Sequence, residues 1–253
     1  MAFEKVKVLE GKKKAGIILI HGWTANPRQF DDLARMLNEV GYWIFIPLLS
    51  GHGTKPEDIE RMKWQVWLND VVKTIDFVEN NYELEQIFVG GISLGGNLSL
   101  LSSLERKIDG VLLMGTPVHI KSHFWAWIGS RLGPFLFKKY VYKNYPKKTG
   151  TVVPSNHSYK YFPLRSVKEC LWAIRKSAMN LNKVTVPVLI VQTNSDYLVT
   201  KYSPWIIFNR LKSKIKKLQW IQSKYDSHTL TKEETKDFFS VIHNFLLELE
   251  DKK

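Results

Sequence analysis

The fold of this chain is decided by the stretch Ile87-Phe88-Val89-Gly90-Gly91-Ile92-Ser93-Leu94-Gly95-Gly96-Asn97-Leu98. It begins as an apolar run, breaks into glycines around one serine and resumes as an apolar segment, which predicts a strand, a sharp turn and a helix. The backbone crowds itself in such a turn, so small residues are needed at Gly91 and Gly95, on either side of Ser93. This G-x-S-x-G spacing predicts a nucleophile elbow, with Ser93 as the candidate nucleophile of a hydrolase.

Strands and helices alternate on both sides of this turn. Apolar runs predict an edge strand near 6–8 and buried strands at 16–20, 42–46, 110–115, 187–192 and 218–221. Helices are predicted to start at Asn26 and Pro27, to run from Asp58 to about Asn80 and from 203 to 211, and to follow a capping box of Thr231 and Glu234. The pattern therefore predicts an α/β fold, a mostly parallel central sheet with helices on both faces.

One interval between predicted strands is too long for this alternation of strands and helices. About 70 residues, from Thr116 to Val186, separate two neighbouring buried strands, whereas a crossover needs little more than a dozen. We interpret the excess as a small cap inserted at about 117–183 in a single domain that spans 1–253. Aromatic residues are frequent in it, and Phe124, Trp125 and Trp127 could face lipid. The alternative is a set of extra packing helices that do not contact substrate.

Composition excludes several classes of protein. The chain has 253 residues and one cysteine, Cys170, which cannot form an internal disulfide and is interpreted as a buried structural thiol. The start of the chain has no signal-peptide core and no segment is apolar enough to span a membrane, so a cytoplasmic location is predicted. The net charge is +13, but lysines occur in most segments, which favours solvated faces over a nucleic-acid site.

A serine nucleophile needs a histidine base and a carboxylate that orients it, in the chain order Ser, acid, His. Asp196 follows the predicted strand 187–192, and His228 follows the last predicted strand. Asp226 is a rival acid, but it lies too close to His228 in sequence to reach the imidazole squarely. The other histidines, His119, His123, His157 and His243, fit solvated or pocket-lining positions better than the base.

A tetrahedral oxyanion needs two preorganised donors beside the nucleophile. The amide of Leu94 directly follows Ser93 at a helix N-terminus, and the amide of Trp23 is well placed on the loop after strand 16–20. His21 and Gly22 precede Trp23. We expect His21 to brace this loop and His52 to line or support the site.

Together these motifs resemble the α/β-hydrolase superfamily, most closely the small bacterial carboxylesterases and monoacylglycerol lipases. The motifs are His21-Gly22-Trp23, Ser50-Gly51-His52-Gly53, Gly91-Ile92-Ser93-Leu94-Gly95-Gly96, and the loops that carry Asp196 and His228. The resemblance implies a serine esterase with Ser93, Asp196 and His228 as its triad and the Trp23 and Leu94 amides as its oxyanion hole. Trp23-Thr24-Ala25 departs from the more usual Phe-Thr-Gly, so the larger indole is expected to narrow the acyl pocket.

The resulting hypothesis is hydrolysis of short to medium acyl esters or monoacylglycerols, with no cofactor and no metal. Thioester, amide or carbon-carbon bond cleavage on the same scaffold is an alternative, because the fold alone does not select the chemistry. A catalytically silent binding protein is a further alternative, which the complete Ser, Asp, His order disfavours. The histidines form no metal-binding spacing. The oligomeric state is left open.

Overall fold

The computed structural model describes residues 6–119, 139–143, 157–224, 228 and 230–250. Its strands are β1 Val6–Leu9, β2 Ala15–Ile20, β3 Trp43–Pro47, β4 Gln86–Ile92, β5 Gly110–Met114, β6 Tyr140–Tyr142, β7 Tyr161–Pro163, β8 Val188–Thr193 and β9 Lys216–Ile221. Its α-helices are α1 Asp31–Glu39, α2 Pro56–Ile59, α3 Trp64–Asn81, α4 Leu94–Ser102, α5 Leu164–Asn180, α6 Tyr202–Arg210 and α7 Lys232–Glu250. Short 3-10 helices cover Pro27–Phe30 and Leu181–Lys183.

Seven strands form the central sheet in the order β1-β3-β2-β4-β5-β8-β9. The edge strand β1 pairs antiparallel with β3, and all other neighbours pair parallel. The predicted α/β fold with a mostly parallel sheet is therefore confirmed. Because parallel strands end at the same edge, the loops after β2, β4, β8 and β9 meet there.

Residues of each strand alternate between two apolar layers. On β2, Ile18 and Ile20 pack in the layer that contains Trp67 of α3 and Leu98 of α4. Ile17 and Leu19 point into the other layer, which contains residues of α1 and α7 such as Leu37 and Phe245. Burying one such side chain stabilises the fold by about 1.5–3 kcal/mol. The side chains of both layers are almost completely buried, so the central strands hold the site loops on a tightly packed base.

The predicted helix from Asp58 to Asn80 is wrong in one respect, because the structure divides this stretch into α2 and α3. Lys63 has an extended backbone, and the amide of Trp64 donates to Glu169 on α5. The Lys63 ammonium pairs with the same carboxylate. A partner 105 residues away thus starts α3 at Trp64, and a local hydrophobic pattern cannot show such a partner.

The main described elements of the proposed insertion are the β6–β7 hairpin and α5. β6 and β7 pair antiparallel and form a separate two-stranded sheet. Val167, Leu171 and Ile174 of α5 form a small apolar cluster with Phe162 of the hairpin and Trp23. Residues 120–138 and 144–156, with the aromatic residues Phe124, Trp125 and Trp127, lie outside the described ranges.

No helix in the described ranges is both long enough and apolar enough to cross a membrane.

Candidate active site

Ser93 occupies the turn between β4 and α4 with a strained backbone. Its φ of 56° and ψ of −117° lie in a region that costs a non-glycine residue about 1–3 kcal/mol. A Cβ on Gly91 would lie 2.3 Å from the carbonyl carbon of Gly95, and a Cβ on Gly95 would lie 2.0 Å from the Ile20 oxygen. The two glycines are therefore required by the close approach of β2, β4 and α4, as the sequence pattern predicts.

Asp196 lies directly after β8, buried and well supplied with hydrogen bonds. The Leu198 and Val199 amides donate to Oδ1 at 2.8 and 2.9 Å, and Gln192 Nε2 donates to Oδ2 at 3.0 Å. Burial alone would raise the pKa of Asp196, but the His228 imidazole and these amides stabilise the anion more strongly. The pKa of Asp196 is therefore lowered, and the carboxylate stays ionised.

His228, seven residues after the end of β9, lies against this carboxylate. Its Nδ1 atom is 2.8 Å from Asp196 Oδ2. Its Nε2 atom is buried and makes no hydrogen bond, either to Ser93 or to another described residue. Catalytic hydrogen bonds are often long in a free enzyme and tighten when substrate binds. The structure thus joins the predicted acid and base directly, and leaves Nε2 available for a proton.

Gly115, directly after β5, lies beside the Asp196–His228 pair in a backbone conformation that favours glycine. Its φ is +53°, and a Cβ there would lie 3.5 Å from Asp196 Oδ2 and 3.7 Å from His228 Cε1. Ile92, Met114, Leu230 and Phe238 line a small cleft beside the same pair. Sequence reasoning missed Gly115 and Gln192 as site residues; the signal for Gly115 was a glycine at the carboxyl end of a buried strand.

The two predicted oxyanion donors lie at a helix N-terminus and on the loop after β2. The Leu94 amide is in the first turn of α4, where a helix has no internal acceptor for its N–H groups. Gly22 adjoins the nucleophile, because a Cβ on it would lie 3.8 Å from Ser93 Cβ. The Gly22 amide donates to Gln29 Oε1 at 2.8 Å, and Thr24 has a φ of 65°. The loop 22–24 is thus bent sharply beside Ser93, with Trp23 at its centre.

His21 and His52 are both buried beneath this loop. His21 Nδ1 donates to the Gly22 carbonyl oxygen at 2.9 Å, and its Nε2 accepts from the Leu49 amide at 3.2 Å. Burial lowers the pKa of His21 to about 4, against a smaller opposite effect of the Gly22 hydrogen bond. The His52 ring meets the His21 ring edge to face, with centroids 4.9 Å apart. His21 therefore links the loop after β2 to the loop after β3 as a neutral imidazole.

The β6–β7 hairpin is attached to the same loops. The Tyr159 amide donates to the Thr24 carbonyl oxygen at 2.9 Å, and Ala25 and Ser158 form a β-bridge. The Tyr159 hydroxyl donates to the Gly51 carbonyl oxygen at 3.2 Å. The Phe162 ring lies 4.8 Å from the Trp23 ring. The sequence did not indicate these contacts.

The remaining candidates lie elsewhere. His243 is on α7, stacked on Phe239. The His119 carbonyl oxygen accepts from Ser203 Oγ near the start of α6. The Cys170 thiol has its pKa raised to about 12 by burial, which makes it unreactive. Asp226, the rival acid, and His123 lie outside the described residues.

Residues 11–235 match the protein family described as Serine aminopeptidase, S33. A carboxylesterase of Bacillus subtilis (strain 168) is 27% identical over 243 residues, which cover 96% of this chain and 94% of that protein. A thermostable monoacylglycerol lipase of Bacillus sp. (strain H-257) is 26% identical over 220 residues, covering 85% of this chain and 84% of that protein.

Solved structures show the same fold. One, from work on the metagenome-derived lipolytic enzymes LipS and LipT, has a TM-score of 0.82 and 22% identity, covering 95% of this chain and 96% of the other. Another, a soluble variant of monoglyceride lipase from Saccharomyces cerevisiae with a substrate analog, has a TM-score of 0.78 and 16% identity, covering 96% and 90%. At these identities the likeness concerns the fold alone.

Proposed function

The chain belongs to the serine aminopeptidase S33 family of α/β-hydrolases, and on this basis we propose that it is a serine hydrolase of carboxylic esters. The proposed substrates are short to medium acyl esters or monoacylglycerols. Relatives of nearly the same length, named carboxylesterase and monoacylglycerol lipase, support the ester class. The observation that carries the proposal is the 2.8 Å contact between His228 Nδ1 and Asp196 Oδ2, at the sheet edge where Ser93 stands on its strained turn.

In the proposed acylation, Ser93 Oγ attacks the ester carbonyl carbon while His228 Nε2 takes the hydroxyl proton. Asp196 holds the imidazole with Nδ1 protonated and stabilises the imidazolium that forms. The Leu94 and Trp23 amides donate to the oxyanion of the tetrahedral intermediate. His228 then gives its proton to the leaving alcohol, and the acyl group stays on Ser93.

In the proposed deacylation, water attacks the acyl-enzyme and gives a proton to His228 Nε2. The same two amides stabilise the second oxyanion. Collapse of this intermediate releases the carboxylic acid, and His228 returns the proton to Ser93 Oγ. No cofactor takes part in these steps.

We also propose that the segment at about 117–183 caps this site within a single domain. The contacts of Tyr159 with Thr24 and Gly51 support this role, because they place the base of the hairpin over both site loops. A cytoplasmic location is likewise proposed, since the one cysteine of the chain forms no internal disulfide.

The test is hydrolysis of p-nitrophenyl butyrate by the wild type, Ser93→Ala and a control, Ser103→Ala. Ser103 follows the last residue of the same helix α4, and its hydroxyl donates to the Leu100 carbonyl oxygen. We expect Ser93→Ala to lose about 10³-fold or more in kcat and Ser103→Ala to keep the wild-type rate. Undiminished hydrolysis by a folded Ser93→Ala would overturn the proposal.

The name of the family favours a second candidate, amide hydrolysis. The test measures rates on a p-nitroanilide, a p-nitrophenyl ester and an acyl-CoA of the same acyl group. These rates rank amide, ester and thioester hydrolysis. We expect the ester to have the highest kcat/KM. A higher value for the anilide would make the chain an amidase or peptidase.

A further inference from the structure

Lys143, at the end of β6, is a partly buried cation beside the loop that carries Trp23. Its ammonium donates to Thr24 Oγ1 at 2.6 Å and to Ser158 Oγ at 3.0 Å. Both acceptors are neutral, and no described carboxylate forms an ion pair with Lys143. Desolvation lowers the pKa of Lys143 to about 8.

The surrounding sequence offers no counter-charge either. Residues 110–168 contain ten lysines and arginines and no aspartate or glutamate. An enclosed ammonium without a carboxylate is costly, because neutral hydroxyls replace its lost hydration only in part. An apolar side chain of the same length would avoid this cost. The lysine at this position therefore calls for a functional explanation.

Thr24, the acceptor of the short hydrogen bond, is itself held in an unfavourable conformation. Its φ of 65° is an outlier for a β-branched residue and persists only where the surroundings fix it. The hairpin fixes it twice, through the Tyr159 amide on the Thr24 carbonyl oxygen and through Lys143 on the Thr24 hydroxyl. Thr24 directly follows Trp23, so holding Thr24 in place limits the conformations that Trp23 can adopt.

We propose that Lys143 is a positioning residue for ester hydrolysis, whose ammonium holds Thr24 and thereby orients the Trp23 amide toward the oxyanion. The inference rests on the proposed roles of Ser93 and Trp23. Lys143 acts through Thr24 and does not itself contact the substrate. Through Lys143, the oxyanion hole is correctly formed only when the hairpin is in place.

The first test compares Lys143→Met with Lys160→Met, which removes an exposed lysine from the same hairpin. We expect Lys143→Met to lower kcat for p-nitrophenyl butyrate about tenfold or more with KM changed less than about twofold, because a misplaced oxyanion donor affects the transition state and not substrate binding. The rate at which a fluorophosphonate labels Ser93 should fall by the same factor, since its P=O group uses the same amides. Lys160→Met should match the wild type.

The second test restores the ammonium chemically. Lys143→Cys is alkylated either with 2-bromoethylamine, which rebuilds a lysine-like ammonium, or with iodoacetamide, which adds a neutral amide. Cys170 should stay unmodified, because its thiol has a strongly raised pKa. We expect the aminoethylated protein to regain most of the kcat and the carbamidomethylated protein to regain none. Both adducts come from one folded preparation, so the comparison holds even if Lys143→Met folds poorly.

The third test asks whether Lys143 acts through Thr24. Thr24→Val removes the hydroxyl and keeps the side-chain shape, so it should lose as much kcat as Lys143→Met. The double variant should lose no more than either single variant. Additive losses, or a normal kcat and labelling rate in Lys143→Met, would overturn the inference. A wild type that hydrolyses no ester and takes no label on Ser93 would instead overturn the proposed function.

Discussion

The imidazole Nδ1 of His228 lies 2.8 Å from Oδ2 of Asp196, across 32 residues of chain. Asp196 lies three residues beyond the carboxyl end of β8 and His228 seven residues beyond that of β9, and the parallel pairing of the two strands brings those ends together. The sheet topology thus produces the acid–base contact, and the short loops only need to supply the side chains.

Replacing the acid by its amide should remove catalysis without unfolding the protein. Asp196→Asn keeps the shape but cannot hold His228 with Nδ1 protonated and stabilise its charged form, so we expect kcat to fall by about 10³- to 10⁴-fold. Ester hydrolysis and thermal unfolding measure the two properties. Asp32→Asn, on the exposed side of α1, is the control and should keep wild-type kcat. A kcat within tenfold of the wild type in Asp196→Asn would mean that another carboxylate orients His228.

Two glycine substitutions should have opposite effects on stability and activity. Gly95→Ala places a Cβ 2.0 Å from the Ile20 oxygen, so we expect the free energy of unfolding to fall by about 3 kcal/mol or more. Gly22→Ala meets nothing closer than 3.5 Å, but its methyl group would lie 3.8 Å from Ser93 Cβ. It should fold normally and lose activity by crowding the substrate. Chemical denaturation and ester kinetics on both variants check this, and equal stabilities would contradict the close approach at the elbow.

Acid should weaken the fold through His21. The pKa of His21 is lowered by burial to about 4, against about 6.5 in an unfolded chain. Between these values the unfolded state binds more protons, so the free energy of unfolding falls as the pH falls from 6.5 to 4, by up to about 3 kcal/mol from this group. His21→Gln, which does not titrate, should show a flatter curve over this range. Identical slopes for the wild type and the variant would show that His21 titrates normally.

Because of Lys143, the free energy of unfolding should rise as the pH becomes alkaline. A lysine in a stabilising ion pair would instead make it fall as the pH rises. Desolvation lowers the folded pKa of Lys143 to about 8, below the value of about 10.4 for a free lysine. The unfolded state therefore holds more protons between these values, and the free energy of unfolding of the wild type should rise with pH relative to Lys143→Met. Below pH 8 the variant should be at least as stable as the wild type. The contradicting result is a variant that is less stable than the wild type at pH 7, with a difference in the free energy of unfolding that does not change with pH. That result would mean that Lys143 stabilises the fold.

Much of the candidate site can be predicted from the sequence because it depends on local patterns. Gly91 and Gly95 predict the elbow, since no larger residue fits where β2, β4 and α4 meet. The proximity of Asp196 and His228 can be predicted because parallel strands end together, so residues that follow such strands converge. Trp23 and Leu94 follow from the same rule.

The supporting contacts could not be predicted, since they join segments that are distant in sequence. Lys143 is one of many lysines, and only the fold shows that its ammonium lies on Thr24. The start of α3 depends in the same way on Glu169. In the sequence Gln192 is an ordinary strand residue, and only the structure shows that its side-chain amide donates to Asp196.

The central claim, that Ser93 is the nucleophile activated by His228, is tested most directly by mapping a covalent adduct. The wild type, Ser93→Ala and His228→Ala are treated with a fluorophosphonate, digested and analysed by mass spectrometry. We predict one adduct per chain, on the peptide that contains Ser93, formed far more slowly in His228→Ala and absent in Ser93→Ala. An adduct on another residue, or no adduct on a folded wild-type protein, would contradict the account.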